Sequence, residues 1–297
     1  MQRSLARAAR LVKASPTLGR IAAPTLRSCS VSEVSVAERS SVILQFAAVA
    51  ALSLTAVTTM SAPVDSVNAK RAEELYNTAG YDRRELLQFL KEKAAEDPQD
   101  ASVLWRLARA AYDVGGLAST PAAEKKELIY YAHETIQKAL AANENDFAVQ
   151  KWSGIILSSI GDYEGTKVSL ANSYIVKAHW EKAVALNPTD STSHHLLGRW
   201  SLTIADISWI ERKVAAALFG TPPQATYAEA LAHFVQADTI SPGFWKKNTF
   251  MIAQVYQKMG NAAEAKTWVA KALAIPTVSE EDAQVQKDAE ALAAKLG

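Results

Sequence analysis

The chain has 297 residues, of which 49 % are hydrophobic and 21 % charged. That balance can bury a core, which excludes a mainly disordered chain. The formal net charge of +1 and the single cysteine, Cys29, argue against a dedicated nucleic-acid binder and exclude an intrachain disulfide framework or a cysteine-based zinc site.

The first segment, residues 1–39, is a basic leader. It carries seven basic and two acidic residues, a balance of +5, and its first 30 residues contain no acid. An amphipathic, Arg-rich and acid-poor start is typical of a mitochondrial transit peptide. The sequence therefore predicts import into mitochondria; a flexible basic tail is the alternative.

The second segment, residues 40–64, has no charged residue. About 20 predominantly apolar residues are enough for a helix to cross a bilayer. We therefore expect a single transmembrane helix here; a buried helix of the fold or a second part of the leader are the alternatives. The charge of the whole chain then leaves −4 for residues 65–297, because 1–39 contributes +5 and 40–64 contributes nothing.

Residues 65–297 show repeated helical patterns with the spacing of the 34-residue tetratricopeptide (TPR) hairpin. Small and bulky residues recur on the second helices, and Asn-Pro or Ser-Pro follows two of them. The pattern predicts an all-α TPR-like solenoid of about four repeats, with extra residues around 114–124, 161–175 and 202–223, a turn at 161–163 and a capping helix over 279–296. The residues that carry the pattern are Trp105, Tyr112, Ala132, Ile136, Ala139, Trp180, Ala183, Leu197, Gly198, Ala230, Phe234, Ala237, Tyr256, Ala265, Val269 and Ala272.

Four stretches carry a more specific resemblance. ISWIERKVAAALFGTPPQATYAEAL (207–231) followed by SPGFWKKN (241–248), together with RAEELYN (71–77) and WRLARAAYD (105–113), resembles the regulator of microtubule dynamics protein family over about 70–297. The resemblance implies TPR-like repeats, and links to microtubules, to mitochondria, and to tethering and phospholipid exchange between endoplasmic reticulum and mitochondria. No cluster of acids with paired aromatics precedes residue 71, so the FFAT-type tether role is not expected.

The repeat phase predicts which side chains line the concave face, because the first helix of each hairpin forms it. The expected groove is basic and favours an anionic ligand, either an acidic peptide or a phospholipid head group. Ordinary surface charge paired with neighbouring acids is the alternative. The candidate groove residues are Arg106, Lys151, His195, Arg199, Lys247 and Lys258, with Arg106 and Arg199 expected to face solvent.

A candidate apolar pocket comes from the inserted stretch, through Ile207, Trp209, Ile210 and Phe219. No phosphate-binding loop, dinucleotide fingerprint, HExxH or GxSxG motif is present in the sequence, so no enzyme, metal or cofactor site is predicted. The expected function is a non-enzymatic, membrane-anchored mitochondrial adaptor. A structural accessory subunit of an inner-membrane complex and a microtubule-associated protein are the alternatives.

Overall fold

The computed structural model describes residues 65–219 and 223–297. The predicted leader (1–39) and the predicted membrane span (40–64) lie outside these residues. Within the described part the secondary structure is entirely helical: α1 (Val67–Asn77), α2 (Arg83–Glu96), α3 (Ala101–Gly115), α4 (Ala122–Ala142), α5 (Phe147–Glu164), α6 (Thr166–Leu186), α7 (Ser191–Ala205), α8 (Trp209–Phe219), α9 (Tyr227–Ile240), α10 (Lys246–Lys258), α11 (Ala262–Ala274) and α12 (Glu280–Leu296).

Aspartates start the first helices of three hairpins. Asp100, Asp146 and Asp190 are the N-cap residues of α3, α5 and α7, and each side chain accepts backbone N–H bonds from the first turn. A carboxylate at this position satisfies donors that have no partner inside the helix. The short polar turns before these aspartates therefore define where one hairpin ends and the next begins.

The helices pack as antiparallel pairs in chain order. The pairs are α3 with α4, α5 with α6, α7 with α9, and α10 with α11, preceded by α1 and α2 and followed by α12. Successive first helices also contact each other, as α1 does with α3, α3 with α5, and α10 with α12. The all-α TPR-like solenoid predicted from the sequence is confirmed for the described residues.

Two glycines let paired helices approach closely. A Cβ atom at Gly154 on α5 would lie 2.3 Å from the indole nitrogen of Trp180 on α6, and one at Gly198 on α7 would lie 2.7 Å from the Phe234 ring on α9. Both distances are far inside van der Waals contact. The aromatic ring of the second helix thus occupies the space that a side chain on the first helix would need.

The second-helix pattern is confirmed by burial. Ala230, Phe234 and Ala237 are fully buried on α9, and the equivalent positions on α4, α6 and α11 are buried as well. On α11 this set follows a turn at Gly260, whose φ of 79° places it in the left-handed region that favours glycine. The spacing of small and bulky residues therefore located the helix-helix contacts correctly.

The extra residues enter in two different ways. Around 114–124 and 161–175 they lengthen helices, since α4 and α6 each reach 21 residues. Between 202 and 223 they add the separate helix α8. In chain order, α8 lies between α7 and α9, the two helices of one hairpin, and not between two repeats.

The predicted turn at 161–163 is wrong. Gly161 lies inside α5, and it is glycine because a Cβ there would lie 2.2 Å from the Ser169 hydroxyl on α6. The chain turns instead at Gly165, where φ is 87°. A glycine required by a close helix contact and a glycine required by a turn look alike in the sequence.

None of the helices in residues 65–219 and 223–297 combines the length and the apolar character that crossing a membrane requires.

Replacing Gly198 by Ala tests the close approach. We expect a loss of about 1–3 kcal/mol, because the new methyl group overlaps the Phe234 ring in a packed core. Thermal unfolding followed by circular dichroism measures the change. Gly115→Ala is the matched control: Gly115 is also helical, its added Cβ would meet neighbours at an ordinary 3.7 Å, and no loss is expected. Equal effects of the two substitutions would contradict the contact.

Candidate functional site on the first helices

Arg106 and Arg109 on α3 are held by acids of the preceding segment. The Arg106 guanidinium lies 3.0 and 2.6 Å from the two Asp65 oxygens and 2.9 Å from Glu73, and Arg109 donates to the same Glu73 at 3.1 Å. Arg106 also stacks over the Trp105 ring at 4.1 Å. Arg106 is 4 % exposed, so the expectation that it faces solvent is wrong.

Glu73 is the centre of this network. Burial raises the pKa of Glu73, but hydrogen bonds and positive charge from Arg109 and Arg106 outweigh it and hold the pKa below its ordinary value. The carboxylate is therefore charged at neutral pH, and the network ties α1 to α3. An external anion would have to displace a partner that is already in place.

Lys151 on α5 makes a similar contact with the next hairpin. Its ammonium lies 3.0 Å from the Asp190 carboxylate, and each of the two side chains is 15 % exposed. Asp190 is also the N-cap of α7. The second predicted groove cation thus joins α5 to the start of α7.

His195 on α7 is not a cation in the folded protein. It is fully buried, its Nδ1 lies 2.9 Å from Asn248 Oδ1, and Asn248 Nδ2 donates to the Phe234 carbonyl at 3.0 Å. Because that amide orientation leaves Oδ1 as an acceptor, His195 Nδ1 carries the proton and Nε2 is an acceptor. Burial between the Phe234 and Trp245 rings lowers the pKa of His195 to about 3. Its expected positive charge in the groove is therefore wrong.

The remaining predicted cations stay accessible. Arg199 on α7 is exposed, as expected, and its guanidinium has no ion-pair partner among the described residues. Lys247 pairs with Glu281 of α12, and Lys258 lies 2.8 Å from Asp206, with side chains 26 % and 34 % exposed. Exposed pairs of this kind are weak, typically below about 1 kcal/mol, and exchange partners readily.

The relative order of these cations follows from the contacts between α7 and α10. His195 meets Asn248 near the start of α10, and Asp206 meets Lys258 at its end. Arg199 therefore lies between Lys247 and Lys258, in a row of about 17 Å along α10, at 1.5 Å per helical residue. We call Arg199, Lys247 and Lys258 the C-terminal basic row.

The two described members of the candidate apolar pocket, Ile207 and Trp209, have different environments. Ile207 packs against the core cluster that contains Trp180 and Trp200, whereas Trp209 is 67 % exposed. The side chains of Ile210 and Phe219 lie outside the described residues.

One buried charge, Lys246, and one half-buried charge, Asp113, were missed in the sequence. Lys246 is 2 % exposed, and its ammonium donates to the Ile275 carbonyl at 2.6 Å, at the C-terminal end of α11. A cation is favourable there because the end of a helix carries partial negative charge. Asp113 on α3 is the other: burial raises its pKa to about 6, and the nearby charges of Arg109 and Arg83 relieve this only in part. Neither residue occupies a position that the repeat pattern marks.

The described helices define a TPR-like helical-repeat protein with an accessible basic row on two of its first helices. Members of this structural class present extended surfaces to other macromolecules. The family model described as Regulator of microtubule dynamics protein 1-3 matches residues 69–297. The chain belongs to the regulator of microtubule dynamics family, as the sequence resemblance predicted.

Individual relatives agree with this assignment. Regulator of microtubule dynamics protein 1 of Pongo abelii is 43 % identical over 224 residues, which cover 74 % of this chain and 71 % of the relative. The Homo sapiens protein 1 is 47 % identical over 185 residues, 62 % of this chain and 59 % of the relative. Regulator of microtubule dynamics protein 3 of Xenopus laevis is 34 % identical over 230 residues, 76 % of this chain and 50 % of the relative.

Among solved structures, a thermophilic TPR protein of Thermus thermophilus, TTC0263, is 19 % identical, with a TM-score of 0.49, covering 77 % of this chain and 96 % of that one.

Replacing Glu73 by Gln tests the buried network. At pH 7 we expect the variant to be less stable by about 1–3 kcal/mol, because Arg106 and Arg109 lose a charged acceptor. Since the folded-state pKa of Glu73 is lowered, this stabilisation is complete above the ordinary value of 4.5 and is lost as the pH falls below it. Denaturant unfolding between pH 3.5 and 7 measures both effects.

The matched control is Glu74→Gln, since Glu74 is the next residue and pairs only with Arg71, with both side chains largely exposed. It should change stability by less than about 0.5 kcal/mol. A difference between wild type and Glu73→Gln that stays constant across the pH range would argue against the network.

Asp113→Asn should have the opposite pH dependence. The folded-state pKa of about 6 exceeds the ordinary 3.8, so the protonated carboxyl favours folding and stability falls as the pH rises through this interval. We expect the variant to unfold at a higher temperature than wild type at pH 7 and to show no gain at pH 3.5. Asp288→Asn, on the exposed surface of α12, is the control. A loss of stability at pH 7 would show that Asp113 is stabilising when charged.

Proposed function

We propose that this chain is a non-enzymatic, membrane-anchored mitochondrial adaptor whose C-terminal basic row binds an acidic segment of a partner protein. The observation that carries the proposal is Arg199, an exposed cation without an ion-pair partner among the described residues, flanked by two cations in accessible pairs. The N-terminal half of the predicted groove does not contribute, because Arg106 and Lys151 are bound to acids of the chain itself.

The spacing favours a protein segment over a single head group. A row of about 17 Å matches about five residues of an extended chain, at about 3.3 Å per residue. A phospholipid head group concentrates its charge at one point and reaches one or two members of the row. An anionic phospholipid is therefore the second ligand to be compared.

Membrane anchoring and mitochondrial import rest on the sequence of residues 1–64: the acid-free, Arg-rich start and the uncharged window of 25 residues. The anchor would hold the repeat domain beside a membrane, where a binding row acts as an adaptor. No described residue is assigned a catalytic role in this proposal.

Family membership supports a second candidate, a role in microtubule dynamics, which the names of the relatives state for those proteins. Microtubule surfaces are acidic, and the same basic row would meet them. Because residues 65–297 carry a net charge of −4, the attraction would have to come from this local row and would be sensitive to salt.

Arg199→Glu tests the proposed site. Binding of a synthetic Glu-rich peptide to the purified protein should weaken about fivefold or more, since an exposed charge contact contributes up to about 1 kcal/mol and the reversal adds repulsion. Fluorescence titration at low and physiological salt measures the affinity, and vesicles containing anionic phospholipid provide the comparison ligand.

The control is Lys125→Glu, which reverses an exposed charge on α4, a helix whose extensive contacts are with α3 and α5 and not with α7 or α10. Equal losses from both variants would indicate nonspecific attraction. Absence of peptide binding by the wild-type protein at low salt would leave the structural-subunit alternative, in which the repeats serve as a scaffold inside a larger complex.

A further inference from the structure

Helix α8 differs from every other described helix in how it packs. The other eleven each share an extensive contact with at least one neighbouring helix, whereas none of these extensive contacts involves α8. A described link from α8 to α7 is the hydrogen bond that Arg212 donates to the Ile204 carbonyl at 3.4 Å. None of the described side chains of α8 is buried, and Lys213, Ala216 and Ala217 are exposed. The described side chains of α8 therefore contribute little to the core, and the exposed ones are open to another environment.

The exposed side chains of α8 are of the kind found at membrane–water interfaces. Trp209 is 67 % exposed, and the Lys213 ammonium lies 4.0 Å above its ring. Every other tryptophan of the described part is buried or half-buried. Tryptophan concentrates at the head-group level of bilayers, and a neighbouring lysine keeps its charge in the phosphate layer while its stem lies along apolar surface.

We propose that α8 lies on the surface of a lipid bilayer, with Trp209 inserted at the head-group level and Lys213 against lipid phosphates. This inference rests on the proposed membrane anchoring, which brings a bilayer to the domain. It adds a second membrane contact, more than 140 residues beyond the proposed span.

The described chain begins directly after the window in which the membrane span is proposed. The uncharged window ends at Val64, and the next residue, Asp65, is bound by both terminal nitrogens of Arg106 at 3.0 and 2.6 Å. Ser66 then caps α1 directly. The first described residues after the uncharged window are therefore held by the repeat domain itself.

Charge favours a bilayer over a protein partner at α8. Helix α8 carries Arg212 and Lys213 beside one acid, Glu211, a local balance of +1, whereas residues 65–297 as a whole carry −4. An anionic lipid surface attracts such a local pair by about 1 kcal/mol per basic residue and repels the remainder of the domain. Contact is thereby restricted to α8, as an interfacial helix requires.

The test uses the full chain reconstituted into phosphatidylcholine vesicles with and without phosphatidylserine. Flotation and resistance to carbonate first establish that the chain is inserted. Brominated phosphatidylcholine then quenches tryptophans that reach the bilayer, and the emission that wild type has and Trp209→Phe lacks reports Trp209 alone. We expect the brominated lipid to remove most of that difference.

Trp268 provides a matched control, because its ring also lies under a lysine, with Lys271 Nζ at 3.8 Å, but it is half-buried on the paired helix α11. The emission lost in Trp268→Phe should be insensitive to brominated lipid. In vesicles with phosphatidylserine, Lys213→Gln should lower the bound-to-free ratio of α8 about fivefold, the equivalent of about 1 kcal/mol, and Lys271→Gln should leave it unchanged.

The outcomes separate the two proposals. An inserted chain whose Trp209 emission is not quenched overturns the bilayer contact of α8, leaves the anchor intact and points to a protein partner at this helix. A chain that neither floats nor resists carbonate overturns the anchor and the inference together.

Discussion

The architecture depends on how closely the helices of a hairpin approach each other. At Gly154 and Gly198 an aromatic ring of the second helix fills the space that a Cβ would occupy. The hairpins become thin enough to stack, and the first helices of successive hairpins come within reach of each other's side chains. The contacts from Lys151 to Asp190 and from His195 to Asn248 exist only because of that stacking.

The charged side chains on the first helices serve two different purposes. In the N-terminal half they join hairpins, with Glu73 shared between Arg106 and Arg109 and almost no charge left for a ligand. Buried pairs of this kind contribute little net stability, but they are costly to break and so define which helices are neighbours. Toward the C-terminal end the pairs are accessible and Arg199 has none among the described residues, so the two halves differ in what they offer to a partner.

Helix α8 has no buried side chain among its described residues. It is inserted in the chain between α7 and α9, which approach each other closely at Gly198 and Phe234. The hairpin therefore tolerates the insertion, and the insertion is free to carry exposed apolar residues such as Trp209.

The repeat spacing was sufficient to predict the fold, because small and bulky residues at fixed intervals, such as Ala230, Phe234 and Ala237, report helix-helix contacts that are local in sequence. The exposed position of Arg199 followed from the same phase. The repeat phase did not show which cations of the predicted groove are paired with acids. The pairing acids lie 33 to 41 residues away in sequence: Asp65, Glu73, Asp190 and Glu281. Which charges meet across such separations depends on how the hairpins stack. The tertiary structure also buries His195, which keeps it neutral, and leaves Trp209 exposed.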